Sequence, residues 1–349
     1  ATPGQLIRWQ FFTNDSVADF YNANFVNIKM NMETKEGKEI KKLYNVGAYP
    51  TFLYIDSQGK LLHKKEGGTS FPQFIKLGKE ALNPETQLAT FNEKYEKGNI
   101  NGEFIYDYLN ILRSASVDYS EVFNNYFKTQ KDGDLPSQIN LDILFFNEYN
   151  HTDINSKPFK YLIKNKDKFD AIYTSETLDD KISRAYSLDF EKILRKGSFN
   201  DSIYEEWKDD VKRGDFYRSD EVLLEADLEY NAKRKNWNKY AENAVLFIDK
   251  YKHDNAPLQL NSIAWTFYEN IKDKNLLKKA ASWAKKSVEL ENKAYNNDTY
   301  ACLLYVLGDT TKAIQIEETA FKLAKNNNEK NLEDYIKTLE KMRAGEKLD

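Results

Sequence analysis

The chain is poor in the residues that build covalent and metal-centred chemistry. It holds one cysteine in 349 residues, Cys302. A single thiol excludes an internal disulfide, a cysteine-built zinc site and dithiol chemistry within the chain. The three histidines, His63, His151 and His253, are too few and too scattered for a histidine cage, so neither a metal nor a cofactor is expected. No apolar run approaches the ~18 residues that a membrane helix needs, and mean hydropathy is −0.73. Neither charge sign dominates: 51 Lys and Arg stand against 55 Asp and Glu, a net charge of −4. A balanced, slightly acidic chain is a poor candidate for a general nucleic-acid binder. No nucleotide-binding glycine motif, Gly-x-Ser-x-Gly or His-Glu-x-x-His is present. The chain opens Ala1-Thr2-Pro3-Gly4, neither a Met start nor the basic beginning of a signal peptide, so an upstream segment is expected to have been removed.

What is abundant is apolar and aromatic matter. Apolar residues make up 41% of the chain and aromatic residues 14%, enough for packed cores. At roughly 150 residues per domain the length suits two or three domains. The first stretch carries the strand signals. Phe25–Met30 alternates apolar and polar residues with period two, which predicts a strand. Glu36–Tyr44 places Ile40, Leu43 and Tyr44 on one side, which predicts a helix. Thr51–Ile55 reads as a buried strand, Asp56-Ser57-Gln58-Gly59 as a turn, and Lys60–His63 as its partner strand. Gly67-Gly68 breaks the chain, and Ser70 caps a helix reaching about Leu82. From Asn83-Pro84 onward the strand signals vanish, and helical patterns of about 10–16 residues alternate with Gly, Asn and Asp breaks.

Two resemblances follow from these residues. Ala301, Leu304, Gly308-Asp309, Lys312-Ala313-Ile314, Ala320 and Leu323 resemble a tetratricopeptide repeat, with Ala264, Ala280 and Ser287 as the small positions of a looser preceding copy. The likeness is good over 258–325 and weak over 85–250. Such units bury their apolar faces by stacking, so a continuous helical array is expected. Residues 12–68 resemble the later part of a thioredoxin-fold domain. Phe12–Val17, Phe25–Met30, Leu43–Val46, Ala48-Tyr49-Pro50-Thr51 with the hairpin to Lys60, and Gly67-Gly68 carry that likeness. The expected architecture is therefore an α/β thioredoxin-like domain over 1–83, incomplete at its front end, then an all-α helical-repeat, TPR-like domain over 84–349. The combination resembles thioredoxin-like proteins exported to the bacterial periplasm, which implies a periplasmic or otherwise exported location.

The resemblance implies a cis bond at Pro50 and a substrate-contacting surface at Tyr49, Pro50 and Thr51. It also implies a Cys-x-x-Cys pair at a helix N-terminus, where a thiol pKa is lowered. Those positions fall on Ala1 and Gly4, which cannot attack a disulfide. The family's strand before that motif is missing as well, so either an upstream segment or another element is expected in its slot. Two functions stay open. One is a non-catalytic binding or scaffold protein that holds a protein or peptide partner in the helical-repeat groove. The other is a periplasmic thiol–disulfide oxidoreductase whose cysteines lie upstream. Among the remaining residues, Cys302 reads as a small core residue. His63 reads as a solvated surface histidine. The acidic pairs Glu205-Glu206, Asp209-Asp210 and Glu317-Glu318 read as solvated helix faces. The tyrosines, among them Tyr106, Tyr108, Tyr119, Tyr126 and Tyr161, read as packing between helices with their hydroxyls reaching solvent.

Overall fold

The computed structural model describes residues 14–146, 152–196, 200–251 and 255–348. Ala1, Gly4, Phe12, His151 and His253 lie outside the described residues. The described residues are mostly helical, with one small two-stranded sheet among them. It divides into two compact units between Lys181 and Ile182.

The first unit runs α1 (Asp15–Asn24), α2 (Lys35–Leu43), β1 (Thr51–Ile55), β2 (Leu61–Glu66) and α3 (Phe71–Leu82). It continues with α4 (Leu88–Glu96), α5 (Gly102–Ser114), α6 (Ser120–Thr129), α7 (Gln138–Leu144), α8 (Lys157–Lys164) and α9 (Lys166–Asp170). Local chemistry sets these boundaries. Asn14 Oδ1 accepts from Val17 N–H at 3.2 Å and Thr34 Oγ1 accepts from Gly37 N–H at 3.0 Å, so each satisfies an orphan donor of a first turn. Ser70 and Gln73 form a reciprocal capping box at α3. Between the strands, Asp56 Oδ1 accepts from Gln58 N–H and Lys60 N–H, and Gly59 takes the left-handed φ of 83° that the turn requires. The antiparallel register pairs Thr51 with Glu66 and Tyr54 with His63, with an irregularity between Tyr54 and Ile55.

An aromatic cluster holds α1 and α3 to the hairpin. Tyr21 stacks on Phe74 with ring centroids 4.3 Å apart. Tyr54 donates its hydroxyl hydrogen to the Tyr21 hydroxyl at 2.6 Å, and Tyr21 donates onward to Phe74 O at 2.7 Å. Burial pushes Tyr21 up to about 12, so the phenol stays a donor at any working pH. The close approach of α1 depends on Gly78, where an added Cβ would sit 2.5 Å from Phe20 Cε1.

Two expectations for this region are corrected. Phe25–Met30 is not a strand. Phe25 is extended and packs against Tyr21 and Tyr54, but Val26 and Ile28 are 92% and 78% exposed. Period-two alternation shapes a strand only where a neighbouring strand takes its hydrogen bonds, and among the described residues β1 and β2 pair only with each other. His63 is not at the surface either, being 3% exposed. Strand β2 is covered by α3, α4 and α5, so its consecutive residues His63 and Lys64 are both buried. His63 Nδ1 accepts from Leu88 N–H at 3.3 Å and so serves an orphan donor at the start of α4. Burial lowers its imidazole to about 4.

The second unit comprises the later part of α10 (Ser175–Arg195) and then α11 (Asp201–Gly214), α12 (Ser219–Lys233) and α13 (Trp237–Tyr251). It continues with α14 (Pro257–Asn270), α15 (Lys274–Leu290), α16 (Ala294–Val306), α17 (Thr310–Asn326) and α18 (Leu332–Ala344). From α14 on, each helix packs on the next. Fully buried Ala264, Ala280, Ala284, Ala301, Ala313 and Ala320 mark where their backbones approach. Gly308, at φ 96°, makes the tight turn between α16 and α17, and Asp309 caps α17. Phe247, Phe267 and Trp283 fill the wider parts of the core, each contributing about 1.5–3 kcal/mol by burial. No described helix is long and apolar enough to cross a membrane.

Candidate functional site

Two places merit consideration as sites. The first is the turn ahead of β1, where the sequence points to Tyr49, Pro50 and Thr51. The Tyr49–Pro50 bond is cis. Tyr49 is half exposed, at 52%, with the Lys41 ammonium 5.3 Å from its ring centroid. Pro50 O accepts from Gly67 N–H at 2.9 Å, and Thr51 Oγ1 donates to Ala48 O at 2.6 Å. The turn is fixed from below by an ion pair. Lys64 Nζ lies 2.7 Å from Glu66 Oε1, with side chains 2% and 4% exposed. Lys64 also donates to Asn45 O at 2.6 Å, and Glu66 Oε1 accepts from Gly47 N–H at 2.9 Å. Although burial opposes ionisation of Glu66, the Gly47 N–H and the Lys64 ammonium outweigh it and lower its pKa. The positions to which the resemblance assigns the missing cysteines, Ala1 and Gly4, lie outside the described residues.

The second is a cleft of about 770 Å³ in the second unit, formed along α14, α16 and α18. Each helix contributes side chains at the spacing of one helical face. They are Asn261, Trp265 and Tyr268 on α14, then Tyr295, Asp298, Thr299 and Cys302 on α16, then Asp334, Tyr335, Thr338 and Lys341 on α18. The chain after α18 closes one end, with Tyr305 OH donating to Glu346 O at 2.8 Å. Behind the lining stands Glu317 of α17, fully buried beside Asp298.

Electrostatically the cleft is unusual for its acceptors. Burial raises the Glu317 carboxyl to about 9, reinforced by the Asp298 charge, so Glu317 keeps its proton at neutral pH. Burial also raises Asp298, to about 6, with the Asp334 charge adding to it; the two groups titrate as a pair. The proton kept by Glu317 is hydrogen-bonded to Asp298, whereas Asn261 Oδ1 has no hydrogen-bond partner. Cys302 Sγ donates weakly to Asp298 Oδ1 at 3.9 Å. Burial and then the Asp298 and Glu317 charges push its thiol well up, which leaves it protonated and a poor nucleophile. Among the described residues no group of three or more His, Cys, Asp or Glu is disposed to hold a metal ion.

The reading of Glu317 as half of a solvated acidic pair is therefore corrected. Glu317 follows Ala313 and precedes Ala320 and Ala324 at helical spacing, on the buried seam of α17. Glu205, Glu206 and Asp209, by contrast, are exposed. The cleft residues escaped the sequence reading because their spacing is that of an ordinary core-facing stripe. The signal available was polar Asn261, Asp298 and Glu317 where that stripe should be apolar. Tyr108 and Tyr126 do pack between helices, yet their hydroxyls donate to Asn92 and Asn140 rather than to solvent. Compared with protein-family models, curated proteins and solved structures, the chain matches none.

Proposed function

We propose that this chain is a non-catalytic binding or scaffold protein that holds a protein or peptide partner in the cleft of α14, α16 and α18. In this reading residues 258–325 are tetratricopeptide-like repeats, and residues 1–83 are a thioredoxin-like domain with no cysteine between Ala1 and Asn83. One observation carries it: three neighbouring helices turn aromatic and polar side chains, at matching spacing, onto one cleft of about 770 Å³. Concave, mostly preformed sites with a few convergent polar groups are where ligands bind, and aromatic residues dominate the energy of protein recognition. The buried, protonated state of Cys302 supports the non-catalytic half of the reading.

The test is selection from a random decapeptide display library on the full chain, followed by binding to Trp265→Ala and Tyr295→Ala. Both side chains line the cleft and are at least partly exposed, so the fold should survive their loss. Selected peptides that lose at least tenfold in affinity to either variant support the reading. A library that yields no peptide dependent on the cleft overturns it.

A further inference from the structure

We propose that the cleft selects a cationic group, the ammonium of a lysine or the guanidinium of an arginine on the bound peptide. Asp298 would serve as its counter-ion and Trp265 and Tyr268 as its aromatic walls. The inference rests on the reading of the cleft as the binding site and adds the chemistry of its occupant.

The first observation is a one-sided hydrogen-bond deficit. Asn261 is 8% exposed, lines the cleft, and its Oδ1 has no partner. Glu317 is fully buried beside Asp298, with which its retained proton makes a hydrogen bond. Asn261 Oδ1 is an acceptor, and so is the Asp298 carboxylate that lines the cleft. A buried acceptor left unmade costs about 1–3 kcal/mol, and only a hydrogen-bond donor relieves it. Ammonium and guanidinium groups are pure donors.

The second observation is charge. Asp298, Asp334, Glu340 and Glu346 line the cleft against Lys337 and Lys341. Lys337, Asp334, Glu340 and Glu346 are exposed to solvent and Lys341 is half-buried, whereas half-buried Asp298 is the carboxylate that stands against buried Glu317 and Cys302. An anion entering there would meet carboxylates and carbonyl-type acceptors. A neutral apolar group would leave the acceptors unmade. A metal ion lacks its ligand set among the described residues. The third observation is the indole of Trp265 and the phenol of Tyr268, whose ring faces attract a cation and are worth most where water is excluded.

The test uses n-butylammonium and n-butylguanidinium as cationic probes, n-butylurea as the neutral isostere of the guanidinium, and butyrate as the anion. Binding is followed on the full chain by Trp fluorescence and by NMR shifts of α14 and α16 amides. The expected result is saturable shifts from both cations, at least tenfold weaker for n-butylurea and butyrate, and at least tenfold weaker for Asp298→Asn. The urea comparison needs no variant, so it stands if Asp298→Asn fails to fold. Equal binding of n-butylurea and n-butylguanidinium overturns the proposal, as does unchanged affinity in a folded Asp298→Asn. If library peptides bind the cleft without lysine or arginine while the cations fail, this inference falls and the binding-site reading stands. If neither peptides nor cations bind there, both fall.

Discussion

Replacing Glu317 with glutamine should stabilise the second unit, and by an amount that depends on pH. The carboxyl is raised from 4.5 to about 9 in the folded chain, chiefly by burial and then by Asp298. Between those values the unfolded chain releases a proton that the folded chain keeps, so stability falls as pH rises. Each pH unit in that window costs about 1.4 kcal/mol. From pH 4.5 to 7.5 the loss is therefore roughly 4 kcal/mol as an upper bound, since Asp298 shares the titration. Glu317→Gln keeps the volume, removes the titration and offers its amide N–H to Asp298. Four tryptophans, Trp207, Trp237, Trp265 and Trp283, lie in the second unit and one, Trp9, in the first. Urea unfolding followed by Trp fluorescence thus reports mainly on the second unit. With a urea slope of about 2–3 kcal/mol per molar, the variant's midpoint should exceed wild type by roughly 1–2 M at pH 7.5. The two midpoints should converge near pH 4.5. Parallel pH dependences for the two proteins would refute the reasoning, because then Glu317 does not hold its proton in the fold.

The first unit should show the opposite pH sensitivity. His63 is lowered to about 4 by burial, so the stability it confers is complete above its unfolded pKa, 6.5, and is lost as pH falls toward 4. An NMR titration should place its imidazole near 4 in the native chain, and a value near 6.5 would contradict its burial. Lys64→Ala leaves the Glu66 charge buried and unpaired, and should destabilise the first unit by about 3–5 kcal/mol. The double replacement Lys64→Met with Glu66→Leu should recover most of that loss in thermal unfolding, and failure to do so would mean that the pair is not what holds the turn. Cys302 should react with a thiol reagent at pH 8 only on unfolding, releasing one equivalent. Fast native labelling would show that the thiol is accessible and revive it as a functional group.

Local chemistry made much of the fold legible. Asp56 and Gly59 specify the hairpin turn, Ser70 and Gln73 the start of α3, and Asp309 the start of α17, because each acts on backbone groups within a few residues. The alanines at 264, 280, 301, 313 and 320 announced close helix contacts for the same reason. What stayed hidden depends on distant partners. Phe25–Met30 carries the strand pattern, but pattern cannot report whether another strand lies beside it. His63 and Lys64 look like a solvated strand end until α3, α4 and α5 cover β2. Glu317 looks like half of an exposed acidic pair because its neighbour Glu318 is only partly buried and ion-paired with Arg343. Only the helical phase relative to Ala313 and Ala320 distinguishes the two. The cleft itself combines three helices, the outer two separated by more than sixty positions, so no local motif could contain it.

The position of Glu317 is the strongest reason to regard the cleft as functional rather than as an imperfection of packing. Along α17 the buried seam is otherwise built from Ala313, Ala320 and Ala324, all fully buried. Another small apolar residue would continue that seam with no charge to desolvate. Instead the chain keeps two carboxyls side by side, Asp298 and Glu317, and an unpartnered acceptor, Asn261 Oδ1, in the same cleft lining. Such groups destabilise a fold unless something satisfies them, and sites that sacrifice stability are characteristically those that bind or react. Among the described residues no group donates to Asn261 Oδ1, and the Asp298 carboxylate relies on the weak Cys302 thiol and on the proton of Glu317. A cation entering from solvent would supply both charge and donors, lowering the Asp298 pKa and relieving the strain on the pair. It follows that ligand binding and alkaline stability should be coupled. A bound cationic peptide should raise the second unit's urea midpoint more at pH 7.5 than at pH 4.5, and Glu317→Gln should shrink that difference. An equal stabilisation at both pH values would separate the ligand from the acid pair and place its binding energy on the aromatic walls alone.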